Sequence, residues 1–210
     1  MLILLSFTLT GCTLTTVEVL QEQASGLAGE LTDGTSFGQT FLVRHNNLYR
    51  LDLYTATYAR QNTHPVIFHL KEGPDDRQDL IRIELAASQI SNSGPTVITF
   101  PPLRDAAYKT FYFYIESPGS SPGDAITVYR EEKDVYPDGT MYVNGQPTGG
   151  DMAFIAYTQE TFGLKEIWAD FYSRASQDSP FFTFYGIIIS IVITALIILS
   201  FWRTDAGEEN

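Results

Sequence analysis

The stretch Phe181–Trp202, FFTFYGIIISIVITALIILSFW, runs for 22 residues without a charged side chain. As one helix it covers roughly 30 Å, the thickness of a bilayer's hydrocarbon core. It is apolar on every face, whereas a helix resting on a soluble core keeps a polar face. Phe181, Phe182, Phe184, Tyr185 and Trp202 stand toward its ends, where aromatic rings favour the headgroup layer, and Arg203 follows at once. The run predicts one transmembrane helix over 180–203 and a short cytoplasmic tail over 204–210. Within it, Gly186, Ser190 and Thr194 recur every four residues, a small-residue face that lets two membrane helices approach closely.

The segment before the span reads as an amphipathic juxtamembrane helix over 160–179. Leu164, Ile167, Trp168 and Phe171 fall on one face; Lys165, Glu166, Asp170 and Arg174 lie mainly on the other. Lying on the headgroups and packing on the rest of the protein suit this pattern equally. Asp178-Ser179-Pro180 ends it.

At the amino end, residues 1–11, MLILLSFTLTG, form an apolar run too short to cross a bilayer. They read as a signal peptide, although no Lys or Arg precedes the run. Leu9-Thr10-Gly11-Cys12 resembles the lipobox of bacterial lipoproteins. The resemblance implies cleavage before Cys12 and lipid attachment to it. Export followed by a stop-transfer span places the intervening residues outside the cytoplasm of a single-pass protein in the cell membrane. The lipid bilayer is thus the first expected partner. A net charge of -12 repels phosphate backbones, so no nucleic acid is expected as another.

Residues 12–35 are polar, small and Gly/Thr-rich and read as a spacer. From 36 to 159 short alternating segments are cut by turn residues. They are Phe37–Arg44, Leu48–Tyr58, Val66–Lys71, Leu80–Leu85, Val97–Phe100, Thr110–Glu116, Ala125–Arg130, Met141–Val143 and Met152–Thr158. Glu72-Gly73-Pro74, Asn92-Ser93-Gly94-Pro95 and Ser117–Gly123 are turns or loops, Pro101-Pro102 closes a strand, and Asn144-Gly145 is a hairpin turn. No helical pattern fills the connections, so the fold class is all-β: an antiparallel sandwich of about nine strands. One cysteine excludes an internal disulfide.

The order of several short motifs resembles a jelly-roll module of bacterial exported and envelope membrane proteins, similar to carbohydrate-binding modules. Its carriers are Gln39-Thr40-Phe41, Leu51-Asp52-Leu53-Tyr54, Pro65–Gly73, Ile98-Thr99-Phe100-Pro101-Pro102, Lys109–Ser117, Tyr136–Pro147 and Gly150–Tyr157. The resemblance implies the sandwich and leaves the ligand open.

Catalytic patterns are sparse. There is no GxSxG, HExxH or zinc spacing, and no glycine-rich phosphate loop. Glu84, Glu116, Asp52 and Asp151 are available as paired carboxylates for glycoside hydrolysis, but acidic residues on a sandwich are usually solvated. Asp75-Asp76 and Asp138 read as turn residues before they read as Ca²⁺ ligands. No enzyme activity, metal or cofactor is expected. The binding candidate is a polar strand face made of Arg50, Asp52, Tyr54, His69, Tyr112 and Tyr114, residue types that supply flat rings and planar polar groups for a glycan. The expected role is a membrane-anchored extracytoplasmic binding module for a glycan or an envelope partner. The alternative is an accessory subunit of a membrane complex of envelope glycan assembly, with no ligand of its own.

Overall fold

A computed structural model describes residues 12–92, 94–162, 172–173 and 179–205. Alternation in the middle of the chain resolves into two sheets. The strands are β1 (Cys12–Gln21), β2 (Gly26–Leu27), β3 (Ser36–Val43), β4 (Leu48–Ala56), β5 (Val66–Lys71), β6 (Ile81–Leu85), β7 (Gly94–Leu103), β8 (Lys109–Glu116), β9 (Thr127–Glu131), β10 (Met141–Val143), β11 (Gln146–Pro147), β12 (Asp151–Met152) and β13 (Phe154–Phe162). A 3₁₀ turn covers Ala87–Gln89 and the helix α1 covers Ser179–Asp205. Thr13–Glu160 form one compact unit, and α1 belongs to a second.

The seven-stranded sheet runs β1-β13-β4-β9-β12, with β2 on β9 and β7 on β4. The six-stranded sheet runs β11-β10-β3-β8-β5-β6. The chain passes from one sheet to the other at nearly every connection from β3 to β12. The pairs β3–β8, β4–β13, β4–β7 and β5–β8 are all antiparallel. The protein is an all-β antiparallel sandwich.

The core lies between the sheets, because alternate residues of each strand face it. Leu51, Leu53, Ile98, Val128 and Phe154 come from one sheet; Phe41, Phe68, Leu70, Phe111, Phe113 and Ile115 come from the other. Phe41 stands 5.6 Å, centroid to centroid, from Phe154 and 5.9 Å from Phe113. One polar tie crosses this apolar layer. The Gln39 amide donates to Asp151 Oδ1 (2.9 Å), and its carbonyl accepts from the Met152 N–H (2.9 Å). Asp151 Oδ2 accepts from the Val135 and Tyr136 N–H groups (2.8 and 2.9 Å). Each buried group therefore meets a partner, the condition on which a buried polar link is tolerated.

The hairpin expected at Asn144-Gly145 joins β10 to β11, with both turn residues at positive φ (52° and 73°). Three expectations need correction. Residues 12–35 are not a spacer: they hold β1 and β2, and Leu31 is fully buried. Thr and Val suit a strand, yet among the described side chains of β1 only Val19 and Gln21 are buried, so its alternation is faint. Pro101-Pro102 do not close β7, which reaches Leu103. This strand pairs with β4 alone, so its prolines sit on an edge where no ladder N–H is missed. Finally, β13 runs on to Phe162, so residues 160–162 are strand rather than the start of a helix. Residues 172–173 are helical and Ser179 opens α1; residues 163–171 and 174–178 of the expected juxtamembrane helix lie outside the described residues.

Helix α1 has 27 residues. Its described side chains are those of Pro180 and residues 183–196. Among the described residues, no helix is long and apolar enough to cross a membrane.

Candidate functional site

The six residues expected to share one polar face occupy two. Arg50, Asp52 and Tyr54 lie on β4 of the seven-stranded sheet, His69 on β5 and Tyr112 and Tyr114 on β8 of the six-stranded sheet. Their strand neighbours Leu51, Leu53, Phe68, Leu70, Phe111 and Phe113 all point into the common core. The two trios therefore point away from each other, on opposite outer surfaces of the sandwich.

On the first surface Arg50 grips Asp52 through two parallel hydrogen bonds, Nε to Oδ1 and Nη2 to Oδ2, each 2.6 Å. Asp52 is 2% exposed although it faces outward. Its register partners are Ile155 on β13 and Val97 on β7, and the Arg50 guanidinium lies 4.5 Å over the Tyr157 ring. The bidentate bond to Asp52 raises the Arg50 pKa. Tyr54 donates to Glu22, and this bond, ahead of burial, pushes its phenol up to about 12. The charges here are spent on one another.

On the second surface the rings stand like books on a shelf. His69 and Tyr114 are register partners whose rings stack at 4.2 Å with 3° between planes. Tyr114 and Tyr112 follow at 5.7 Å and 21°. Tyr142 meets Tyr112 edge-on at 5.1 Å. Gly38 makes this possible: a Cβ there would stand 2.5 Å from the Tyr112 hydroxyl. Tyr112 is 4% exposed and His69 5%. Burial lifts the phenols of both Tyr112 and Tyr114 to about 12. His69 Nδ1 bonds Asp79 Oδ2 (2.7 Å), and Nε2 approaches Glu116 Oε1 at 3.4 Å without hydrogen-bond geometry. Lys71 Nζ lies 5.1 Å over the Tyr114 ring. A sugar needs a free ring face. Tyr114 has His69 against its ring, Tyr112 beside it and Lys71 over it, so the residue types suit a glycan and their arrangement does not.

The remaining candidates fall elsewhere. Cys12 is the first residue of β1, and the expected signal peptide, 1–11, lies outside the described residues. Ser190 donates to the Gly186 carbonyl (2.8 Å) and Thr194 to the Ser190 carbonyl (2.7 Å), so both hydroxyls bond back along α1. A Cβ on Gly186 would meet nothing within 4 Å. Asp138 pairs with Arg44 at 2.6 Å. Among the described residues no group of three or more His, Cys, Asp or Glu could hold a metal ion. Of the four carboxylates considered for hydrolysis, Asp52 and Asp151 are buried and bonded as described, while Glu84 and Glu116 lie on the outer face of the six-stranded sheet.

A further feature appears at the loop end. The connection from β4 to β5 and the 3₁₀ turn enclose a cleft of about 440 Å³, lined by Thr57, Arg60, Gln61, Asn62, Thr63, Ala87, Ser88 and Ile90. Its wall bends through Tyr58 and Ala59, both at φ 55°, a region that costs a non-glycine residue roughly 1–2 kcal/mol. Asn92 holds the bend: its Oδ1 accepts from Thr57 Oγ1 (2.6 Å), the Thr57 N–H (3.2 Å) and the Ala59 N–H (3.0 Å). Arg60 lies 4.5 Å over the Tyr58 ring and pairs with Glu30. That pairing, with the Gly123 N–H, lowers the Glu30 pKa. The Asn62 amide is unlike its neighbours: Nδ2 and Oδ1 are both buried and have no hydrogen-bond partner among the described residues. The sequence signal was the polar run Arg60-Gln61-Asn62-Thr63 between two apolar strands, which alternation passes over as loop.

Comparison with known proteins adds little. No family model matches the chain, and no curated protein matches it. A structural likeness is found to the VP2 subviral particle of infectious bursal disease virus, at 13% identity and a TM-score of 0.21. It covers 72% of this chain and 41% of that one, and a likeness this faint carries no argument.

Proposed function

We propose that this chain is a single-pass membrane protein that displays a jelly-roll β-sandwich outside the cytoplasm as a non-enzymatic binding module. The observation that carries the reading is the pairing of two dissimilar units. One is a sandwich with its own core; the other holds a 27-residue helix whose sequence includes 22 consecutive uncharged residues. The sequence run by itself, if helical throughout, covers the roughly 30 Å that a hydrocarbon core requires. Passage of the chain between the sheets supports the jelly-roll connection. The lipobox-like Leu9-Thr10-Gly11-Cys12 supports export and lipid attachment at Cys12.

The partner is a glycan or another envelope protein. The closed ring stack on the six-stranded sheet favours a second reading for that surface, an accessory subunit docking by its outer face, because rings already in contact leave edges and charges rather than flat faces to a partner.

Fractionation tests the membrane reading. The full-length protein is expected to resist carbonate extraction, and protease added to intact spheroplasts should remove the sandwich and spare the tail. Release by carbonate, or a sandwich shielded from external protease, refutes it.

A further inference from the structure

We infer that the sandwich docks on the lipid surface by the end at which β1 begins and β13 finishes, with Tyr108, Leu14 and Val17 entering the headgroup layer. The inference rests on the membrane reading above and adds which surface of the sandwich meets lipid. Strand register locates that end. Thr158 on β13 stands opposite Leu48, the first residue of β4, and the Gln159 N–H donates to the Asn47 carbonyl (3.1 Å). β13 therefore leaves the sandwich beside the turn between β3 and β4, and the chain goes on from there to the uncharged run. β1 runs the opposite way. Glu18 accepts from the Arg44 N–H and bonds His45 (2.8 Å) in that same turn, whereas Glu22, just past the strand, reaches Tyr54 near the far end of β4. The first residues of β1, from Thr13 on, thus lie at the end where β13 leaves. Leu48 also stands opposite Leu103, so the connection 104–108 between β7 and β8 closes this end too.

Apolar exposure follows the same division. Tyr108 is 83% exposed, Leu14 53% and Val17 51%. The connections 57–64 and 117–125 at the opposite end expose no large apolar side chain. Exposed apolar surface gathered in one place marks a contact. Tyr108 is held out by a well-bonded turn. Its φ is 60°, a conformation unfavourable for a residue with a side chain. The Ala107 N–H donates to Asn46 Oδ1 (3.0 Å), the Lys109 N–H donates to the Ala106 carbonyl (3.2 Å), and Ala106 is fully buried. Tyrosine suits the headgroup layer, where its ring meets acyl chains and its hydroxyl meets water. The occupant is lipid because the chain leading to the uncharged run leaves from this end, and a tether keeps even a weak contact populated. Asp105, and Glu72 at 3.7 Å from Lys109, put carboxylates here as well. The attraction is therefore apolar, and a zwitterionic surface suits it better than an anionic one.

The test uses the full chain with Cys12→Ser, reconstituted in phosphatidylcholine bilayers. One nitroxide label is attached at a time, through Arg104→Cys, Ser121→Cys or Ser190→Cys. Arg104 is exposed in the same connection as Tyr108 and leaves that ring intact; Ser121 is exposed at the opposite end. Power-saturation EPR compares collisions with oxygen, which concentrates in lipid, and with a nickel chelate, which stays in water. The oxygen-to-nickel ratio at 104 is expected to exceed that at 121, and to fall to the 121 value when Tyr108→Asp and Leu14→Asp are added. Where circular dichroism shows that the aspartates disturb the fold, Tyr108→Ser with Leu14→Ser takes their place. Equal ratios at 104 and 121 overturn the inference, and so does a raised ratio at 104 that survives both substitutions. A lipid-like ratio at 190 with a water-like one at 104 defeats this inference alone. A water-like ratio at 190 defeats the membrane reading and this inference with it.

Discussion

The strands and the loop end of this sandwich hold polar groups differently, yet neither pairs all of them: His69 Nε2, Arg130 Nε and Thr158 Oγ1 on the strands also lack a hydrogen-bond partner among the described residues. On the sheets Arg50 is bonded to Asp52, Gln39 and Asp151 are bonded to each other and to backbone, and Tyr112 lies over a glycine shaped to receive it. At the loop end an amide is buried without a partner, and two side-chain-bearing residues hold positive φ. A surface whose groups are matched to one another has little left for a ligand. Unmatched groups cost stability wherever they lie, on a strand or in a loop.

The largest expected effect lies on the sheet side. Asp151→Ala strips the partner from three N–H donors at once and should cost about 3 kcal/mol or more, read as a fall in denaturant midpoint at constant m. A loss below about 1 kcal/mol would mean that the tie between sheets is ornamental. Next, Gly38→Ala places a Cβ 2.7 Å from the Phe113 carbonyl and 2.5 Å from the Tyr112 hydroxyl. The carbonyl cannot swing aside, so a cost of about 1–3 kcal/mol is expected. Removing the Tyr112 ring in the same chain should recover part of it, a coupling that a double-mutant cycle measures.

Alkaline titration sharpens the contrast further. The phenols of Tyr112 and Tyr114 are raised to about 12 by burial, against about 10 in an unfolded chain. Between those values the unfolded state has lost protons that the folded state still binds. Stability is therefore complete below pH of about 10 and is lost as pH rises through about 12. The urea midpoint should trace this decline, and Tyr112→Phe should flatten it; an identical slope in that variant would separate the ring stack from the effect.

The smallest effect has the opposite sign. Ala59→Gly relieves a left-handed backbone and should stabilise the protein by about 0.5–1 kcal/mol. A loss on calorimetry instead would show the bend to be unstrained and remove part of the difference between loop and sheet.

Much of the sandwich was legible in advance. Period two in Leu48–Tyr58, Val66–Lys71 and Thr110–Glu116 located three central strands nearly to the residue, because a half-buried strand writes its burial into alternate positions. The hairpin at Asn144-Gly145 was legible for a conformational reason, since few residues other than Asn and Gly accept positive φ there. The edge strands were not. β1 buries little, so its sequence carries little pattern, and β7 tolerates prolines because one of its sides has no ladder to break.

For the candidate site the limit was of another kind. Alternation along a strand says that Arg50, Asp52 and Tyr54 share a side, and likewise Tyr112 and Tyr114; it does not say in which sheet each strand lies. The sequence alone determined the β class, the inward residues of the central strands and the uncharged carboxyl-terminal run, because these follow from local periodicity and composition. Tertiary structure decided that the two polar trios point apart, that Gly38 receives Tyr112, and that Asn62 meets Ser88 and Ile90 around one cleft. Those facts depend on which strands become neighbours, and that choice is made by burying the whole core at once, a constraint no single segment contains.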